Sequence, residues 1–294
     1  MEIHQEFFEI LARKSMKKIF VTDNIFGIDL DSTFDCGQCF RFDKEEADGF
    51  DTSYRGVAFG REVIFASRGG ELHVIGADEG EFRTIWRSYL SLDEDYGAIH
   101  GGLLSLSSNA ALRSAIEHGS GIRILKQDPW EAICSFMISQ NNNIPRIKGL
   151  IRALSERAGE KIGDGVYAFP SPEAVLALGE GGLRELKMGF RAPYIIDAAA
   201  KVVSGELDFS ALRAMSTKDA EKALCAVKGI GPKVADCALL FGFSKYDAFP
   251  IDVWIKRVLE KYFDEGFDPA SLGSYAGIAQ QVLFYYERWL GGEA

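Results

Sequence analysis

The sequence places a lysine and an aspartate, 19 positions apart, where two predicted helices begin: Lys233 follows Pro232, and Asp252 follows Pro250 and Ile251. Partial desolvation beside a positive helix terminus favours the neutral amine of a lysine, which can attack an electrophilic carbon. An aspartate at such a terminus is favoured as the anion. If both helix starts face one cleft, the pair predicts a nucleophile and a stabiliser of positive charge. A surface lysine and a helix-capping aspartate are the alternative.

The residues before Lys233 have the pattern of a helix-hairpin-helix. One amphipathic segment stops at Gly229, and Pro232 suits the first turn of the next helix because its missing N–H costs nothing there. Gly229 and Gly231 let the backbone approach a ligand, and the unpaired N–H groups of the helix start suit a DNA phosphate. We therefore predict phosphate contacts at these two glycines, although a plain connection between two helices has a similar pattern.

The composition is that of a globular protein, and its overall charge alone argues against a nucleic-acid partner. The chain has 294 residues, 47% of them hydrophobic and 26% charged, with a formal net charge of −10. Cationic side chains supply most non-specific affinity for DNA. However, nine basic and seven acidic residues lie in 141–201, and seven basic and five acidic residues lie in 221–261. These two stretches permit a DNA-facing surface.

The sequence shows no sign of export or membrane attachment. No apolar run approaches the roughly 18 residues of a membrane helix, and residues 1–18 lack a basic segment followed by an apolar one. Five cysteines are an odd set, which does not suggest a secreted disulfide framework. We expect a cytoplasmic monomer, nucleoid-associated if bacterial, without a membrane partner.

Cys36 and Cys39 have CxxC spacing, which can hold zinc or serve redox chemistry. No second CxxC or Cys/His pair accompanies them. Reduced, partly buried thiols are therefore the simpler interpretation, and no metal or other cofactor is expected.

The spacing of apolar residues changes along the chain and predicts two regions. Between about 19 and 75 it is close to two, with aromatic and β-branched residues, which indicates an antiparallel sheet. From Glu81 onward it follows the helical period. Helices are predicted from Pro129, from Ile144, and at about 172–187, 191–204, 217–227, 232–242, 252–263 and 274–290. The predicted fold class is α+β: a small antiparallel β-sheet N-terminal domain, residues 1–125, packed on a mostly α-helical body, residues 126–294, that contains the helix-hairpin-helix.

The run Gly229–Lys233 followed by Phe249–Asp252 resembles the signature of the helix-hairpin-helix (HhH-GPD) base-excision DNA glycosylases. Within that superfamily, the resemblance to the 8-oxoguanine DNA glycosylase/AP lyases covers nearly the whole chain. It implies an enzyme that flips 8-oxoguanine out of duplex DNA and excises it, preferentially opposite cytosine. Lys233 would then nick the strand by β-elimination through a Schiff base, while Asp252 stabilises the positively charged sugar.

Two further segments resemble the lesion-binding parts of that family. In the run Gly37–Arg41, the resemblance implies that the Gly37 carbonyl accepts the N7 hydrogen that 8-oxoguanine has and guanine lacks. Gln280 would bond the Watson–Crick edge of the flipped base, and Phe284 and Cys237 would cover its two faces. Gln280 and Phe284 are four apart and share a helical face, so the C-terminal helix would return to the base pocket. A turn glycine and a core phenylalanine are the alternatives.

The resemblance also implies contacts to the base left behind. Asn141, in a run of three asparagines, would fill the vacated space, and Arg146 and Arg191 would bond the estranged cytosine. Without the resemblance, such a run is typical of a solvated turn or helix cap.

The chain departs from the family pattern in places. Trp254 stands where mammalian-type members have histidine, and Pro193 where a basic residue is common. No cysteine follows Asp252, which argues against the iron–sulfur cluster of the endonuclease III and adenine glycosylase branches.

Two other interpretations stay open. The first is a related glycosylase that acts on alkylated bases or on lesions paired with adenine. The enzymes for alkylated bases generally lack the lysine. The second is a non-catalytic DNA-binding protein that uses only the hairpin and has no need of Lys233, Asp252 and Gln280 together.

Overall fold

The computed structural model describes residues 18–25 and 27–290. Its N-terminal part is a five-stranded antiparallel sheet in the order β1-β5-β4-β3-β2. The strands are β1 Ile19–Asp23, β2 Phe42–Lys44, β3 Thr52–Ala58, β4 Arg61–Arg68 and β5 Glu71–Ile75. The predicted small sheet is therefore confirmed.

Most of the remaining chain is helical. The helices are α1 Leu30–Asp35, α2 Tyr96–Leu106, α3 Ala110–His118, α4 Pro129–Ser139, α5 Ile144–Ala158, α6 Pro172–Glu185, α7 Ala192–Ser204, α8 Phe209–Ala214, α9 Thr217–Cys225, α10 Pro232–Phe243, α11 Val253–Tyr262 and α12 Ala276–Tyr285. Short helical segments lie at 79–89, 189–191, 269–275 and 286–290. The predicted α+β class is confirmed. No helix within the described ranges has both the length and the apolarity to cross a bilayer.

The predicted helices lie close to the observed ones because the sequence encodes their caps. Asp128 accepts a hydrogen bond from the backbone N–H of Glu131 at 3.0 Å, and Pro129 lies in the first turn of α4, as predicted. One short helix and one short hairpin were missed. α1 lies inside the region predicted as sheet, and a short hairpin, β6 Lys161–Gly163 and β7 Val166–Tyr167, interrupts the region predicted as helical. Both are too short for an apolar period to show.

The sheet encloses an aromatic core of its own. Phe34 of α1 has its ring centroid 4.7 Å from that of Phe42 and 5.0 Å from that of Tyr54, and Trp86 meets Phe65 edge-on at 5.5 Å. All five rings are buried. Because alternate residues of a strand face the same side of a sheet, this side packs large rings against α1. The packing fixes α1 and the loop that follows it.

The helical body has a second, larger core. α2 and α3 contribute to it together with α4 and α12, although they precede the predicted boundary at residue 125. The division into residues 1–125 and 126–294 stays a prediction, and its first 17 residues lie outside the described part of the chain.

One buried carboxyl group makes the stability of the body sensitive to pH. Burial, reinforced by the charges of Glu221 and Asp247, raises the pKa of Asp236 on α10 to about 7. In an unfolded chain the pKa of an aspartate is about 3.9. The folded protein therefore binds more protons between these two values, and its free energy of unfolding falls as pH rises through that window.

We predict that Asp236→Asn raises the free energy of unfolding at pH 8 by about 2 kcal/mol, after allowance for the residual exposure of the group. The gain shrinks as pH falls and approaches zero below about pH 4, where both states bind the proton. Urea denaturation at pH 8, 6 and 4.5 measures it, with Asp264→Asn, at an exposed position, as the control. A gain of equal size at all three pH values would contradict the assignment.

Candidate active site

Lys233 lies in the first turn of α10, as predicted. Its side chain is half-buried, and Nζ lies 5.5 Å from the centroid of the Phe136 ring. Cys237 lies one turn further along the helix. Burial raises the pKa of its thiol to about 11, although the charge of Lys233 lowers it. The thiol is therefore neutral near pH 7, so the lysine lies beside an aromatic ring and an uncharged sulfur.

Asp252 is the N-cap of α11, as predicted. Its Oδ1 accepts hydrogen bonds from the backbone N–H groups of Trp254 and Ile255, both at 2.9 Å. These bonds and the helix dipole stabilise the carboxylate anion. Asp252 and Lys233 line the same cleft, and neither forms an ion pair within 4.0 Å in the described part of the chain. The structure thus brings the two together without locking them to each other.

α9 and α10 form the predicted helix-hairpin-helix. Gly229 in the turn has a φ of 81°, and a Cβ there would lie 2.2 Å from the ring of Tyr194. At Gly231, the exposed N-cap of α10, a Cβ would meet no atom within 4 Å. Packing therefore requires glycine at 229, whereas the backbone N–H groups of Gly231 and Lys233 have no acceptor among the described residues and are open to a ligand.

The asparagine-rich loop between α4 and α5 borders the same cleft. Its tip, Asn141, is exposed and has a φ of 53°. Gln140 ties the loop to the hairpin, because its Nε2 donates to the carbonyl of Gly229 at 3.1 Å. Arg191 donates to the carbonyl of Gln140 from both Nε, at 2.9 Å, and Nη2. It also donates from Nη1 to the carbonyl of Met188 at 3.4 Å. Loop, arginine and hairpin are thus held at one edge of the cleft.

The two arginines predicted to contact cytosine differ in exposure. Arg146 is exposed in the first turn of α5, whereas Arg191 is only 4% exposed. Burial, together with the nearby charge of Arg146, lowers the pKa of Arg191. A guanidinium has five N–H donors, of which Arg191 uses three. Arg191 therefore positions the loop, and its two remaining N–H groups have no acceptor among the described residues.

A small recess of about 60 Å³ lies beside the cleft, whose volume is about 810 Å³. Its walls contain both predicted catalytic residues and all the residues predicted for the lesion pocket, Gly37, Cys237, Gln280, Phe284, Lys233 and Asp252. Gln280 is 5% exposed, and no described residue forms a hydrogen bond with its Oε1. The structure therefore brings together, from four separate segments, the residues that the sequence predicted for the lesion pocket, and their role stays a prediction.

Cys36 and Cys39 are buried free thiols. Burial raises the pKa of Cys36 to about 12 and that of Cys39 as well, which keeps both protonated and lowers their reactivity. No three His, Cys, Asp or Glu side chains within the described ranges are grouped as metal ligands would be.

Several residues that shape the site were missed by sequence reasoning. Gln38, Gln140 and Gln281 hold backbone carbonyls or amides of the site by hydrogen bonds, and Phe136 forms part of the wall beside Lys233. A glutamine next to a motif residue carries no periodic signal, because its partner lies far away in sequence.

Two family models match most of the chain. Residues 19–133 match the N-terminal domain of 8-oxoguanine DNA glycosylase, and residues 134–268 match the HhH-GPD superfamily of base excision DNA repair proteins. The chain therefore belongs to the HhH-GPD superfamily. Within it, the chain is a member of the 8-oxoguanine DNA glycosylase family. The predicted family and enzyme class, a DNA glycosylase with lyase activity, are confirmed.

Similar proteins support this placement. An N-glycosylase/DNA lyase of Saccharomyces cerevisiae is 37% identical over 219 residues, and the match covers 58% of this chain and 58% of that relative. The chain thus matches less than two thirds of the relative's length. The structure of MBOgg1 with a low-affinity DNA ligand has a TM-score of 0.85 and 41% identity, covering 93% of this chain and 96% of that one. An 8-oxoguanine glycosylase/lyase of Clostridium acetobutylicum, solved with double-stranded DNA containing cytosine opposite 8-oxoguanine, has a TM-score of 0.82 and 35% identity, covering 94% and 99%.

The two hairpin glycines offer a matched test of their different roles. We predict that Gly231→Ala leaves the free energy of unfolding within about 1 kcal/mol but weakens binding to duplex DNA about tenfold, because the methyl group stands between phosphate and N–H. Gly229→Ala should instead lower the free energy of unfolding by about 3 kcal/mol, through positive φ and overlap with Tyr194. Thermal denaturation and fluorescence anisotropy measure the two effects. A folded Gly231→Ala protein with undiminished DNA affinity would remove this residue from the interface.

Proposed function

We propose that this protein binds duplex DNA as a monomer, flips out 8-oxoguanine, excises it preferentially opposite cytosine, and then nicks the strand. The proposal is supported by the family membership and by the neighbour that was solved with cytosine opposite 8-oxoguanine. The recess beside Lys233 would receive the flipped base.

The buried Oε1 of Gln280 is the observation that carries the proposal. A buried polar atom without a partner is unfavourable by about 1 to 3 kcal/mol, so this oxygen favours a ligand that brings a donor. A guanine-type base offers N1–H and an exocyclic N2–H₂ on its Watson–Crick edge. An adenine-type base offers one donor there, its N6–H₂ group, next to the N1 acceptor. The recess therefore suits a guanine-derived lesion, whose Watson–Crick edge offers two adjacent donors to this oxygen.

The same recess suits the cleavage of the N-glycosidic bond. As the bond between the base nitrogen and C1′ breaks, its electron pair leaves with the base and the sugar becomes positively charged. The carboxylate of Asp252, held in place by its capping bonds, stabilises that charge. Lys233, as a free amine, then adds to C1′ and loses a proton, and the sugar ring opens to give a Schiff base.

The strand is nicked from the Schiff base. Loss of a proton from C2′ and cleavage of the C3′–O bond release the 3′ phosphate by β-elimination. Asn141, at the exposed tip of its loop, would enter the duplex, while Arg146 and the spare donors of Arg191 would bond the cytosine left behind.

We predict that Lys233→Gln abolishes the covalent intermediate and keeps the affinity for damaged DNA within about threefold, because only the nucleophile is lost. Borohydride reduces a Schiff base to a stable amine, so trapping on end-labelled duplexes measures it. 8-Oxoguanine opposite each of the four bases, undamaged guanine and 3-methyladenine are the substrates. Lys201→Gln serves as the matched control, because Lys201 lies on α7 and forms an ion pair with Glu206.

The outcomes separate the interpretations. An adduct on 8-oxoguanine opposite cytosine that is lost only in Lys233→Gln supports the lesion, the nucleophile and the lyase step together. Base release without an adduct would show that the protein is a glycosylase and would contradict the role of Lys233 as the nucleophile. Release of 3-methyladenine alone would favour an alkylation glycosylase, and binding without release would favour a non-catalytic protein.

We predict that Asp252→Asn slows base excision at least 100-fold, or by about 3 kcal/mol, while the free energy of unfolding stays within about 1 kcal/mol. Asparagine caps a helix about as well as aspartate, so only the charge is removed. Single-turnover excision measures the rate. Asp208→Asn is the control, because the Oδ1 of Asp208 caps α8 through the N–H groups of Ser210 and Ala211 in the same pattern. An unimpaired Asp252→Asn enzyme would contradict electrostatic stabilisation by this residue.

A further inference from the structure

The backbone of the segment Cys36–Gln38 is held from both sides by buried side chains. On one side, Gln281 of α12 donates from Nε2 to the carbonyl of Cys36 at 2.8 Å, and Gln281 is only 3% exposed. On the other side, Gln127 donates from Nε2 to the carbonyl of Gln38 at 2.6 Å. The carbonyls that flank Gly37 in sequence are therefore both engaged.

The Gly37 carbonyl itself differs from its neighbours. No described residue donates a hydrogen bond to it, and Gly37 lines both the cleft and the recess. Gly37 has a φ of 78°, a conformation that glycine adopts and leaves at little cost. The peptide plane that carries its oxygen lies between the Cys36 and Gln38 carbonyls, both of which are engaged. Without one of these constraints, that plane could rotate.

We propose that Gln281 is a positioning residue for lesion discrimination, because its bond to the Cys36 carbonyl sets the orientation of the Gly37 carbonyl relative to Gln280. This inference rests on the proposed function and on the role that the family resemblance implies for the Gly37 carbonyl, acceptance of the N7 hydrogen of 8-oxoguanine. Gln281 is the sequence neighbour of Gln280, and both lie one turn or less before Phe284 on α12. The helix α12 thereby fixes the position of the Gly37 carbonyl, which would contact the N7 side of the base, relative to Gln280, which would contact its Watson–Crick edge.

The assignment predicts a loss confined to the step that reads the base. Gln281→Met keeps the length of the side chain and removes the donor. Excision of 8-oxoguanine opposite cytosine should slow about tenfold in single-turnover assays, the loss of one well-placed hydrogen bond. Cleavage of a preformed abasic site needs no base recognition and should stay within about twofold. The excision rate for 8-oxoguanine divided by that for guanine should therefore fall in this variant.

A second variant keeps the test valid if Gln281→Met is too unstable to assay. Gln281→Glu has nearly the same shape, but its carboxyl group can donate to the Cys36 carbonyl only while protonated. The ratio of excision to abasic cleavage in this variant should therefore fall as pH rises, whereas the wild-type ratio should not show the same fall. Recovery at low pH is a readout that simple loss of packing would not produce.

The wild-type protein in the same assay distinguishes a failure of the proposed function from a failure of the positioning role of Gln281. If it does not excise 8-oxoguanine, the proposed function fails. If it does, and Gln281→Met matches it in excision, the positioning role is wrong. Equal loss of excision and of abasic cleavage would also overturn the inference, since it would mark Gln281 as a structural residue only.

Discussion

The site depends on the burial of polar side chains that must each find partners. Gln38 is fully buried, and its side chain donates to the carbonyls of Thr33 and Arg123 and accepts from the N–H of Leu125, each at 2.8 Å. Because unsatisfied buried amides are unfavourable, the loop after α1 takes this conformation only when the segment 122–127 is docked against it. Gln140 acts similarly between the asparagine-rich loop and the hairpin. The recess thus exists only in the assembled fold.

The elements that carry chemistry were predictable because their positions follow local rules. Lys233 and Asp252 could be placed at helix starts from Pro232 and from the capping preference of aspartate, and the structure has both there. The bond from Gln281 to Cys36 joins residues 245 positions apart, and no local pattern announces it. The same holds for Arg191: its family role was expected, but its bonds to the Gln140 carbonyl follow only from packing. Sequence thus predicts where the candidate reactive groups lie, while the contacts that orient them are a property of the tertiary structure.

The surroundings of Lys233 explain how one recess can hold both a nucleophile and an anion. Phe136 and the neutral thiol of Cys237 offer the amine no counter-charge, and Asp252 directs its Oδ1 to the backbone of α11. A direct ion pair would stabilise the protonated lysine and weaken it as a nucleophile. Separate anchoring of the two groups therefore leaves the lysine side chain without an ion pair among the described residues while the carboxylate is held by the backbone of α11. The division between a rigid cap and a half-buried amine is what the proposed two-step chemistry requires.

Helix termini resolve the apparent conflict between an acidic chain and a DNA substrate. Asn143, Pro232 and Val253, at the starts of α5, α10 and α11, all line the same cleft. Each start contributes the positive end of a helix dipole, and at the start of α10 the backbone N–H groups of Gly231 and Lys233 have no acceptor among the described residues, which favours phosphate without a cationic side chain. The acid surplus lies elsewhere, as in Asp78, Glu79 and Glu81 at the start of the helical segment 79–89. Since local potential decides where a polyanion binds, a net charge of −10 leaves this cleft as the favourable surface.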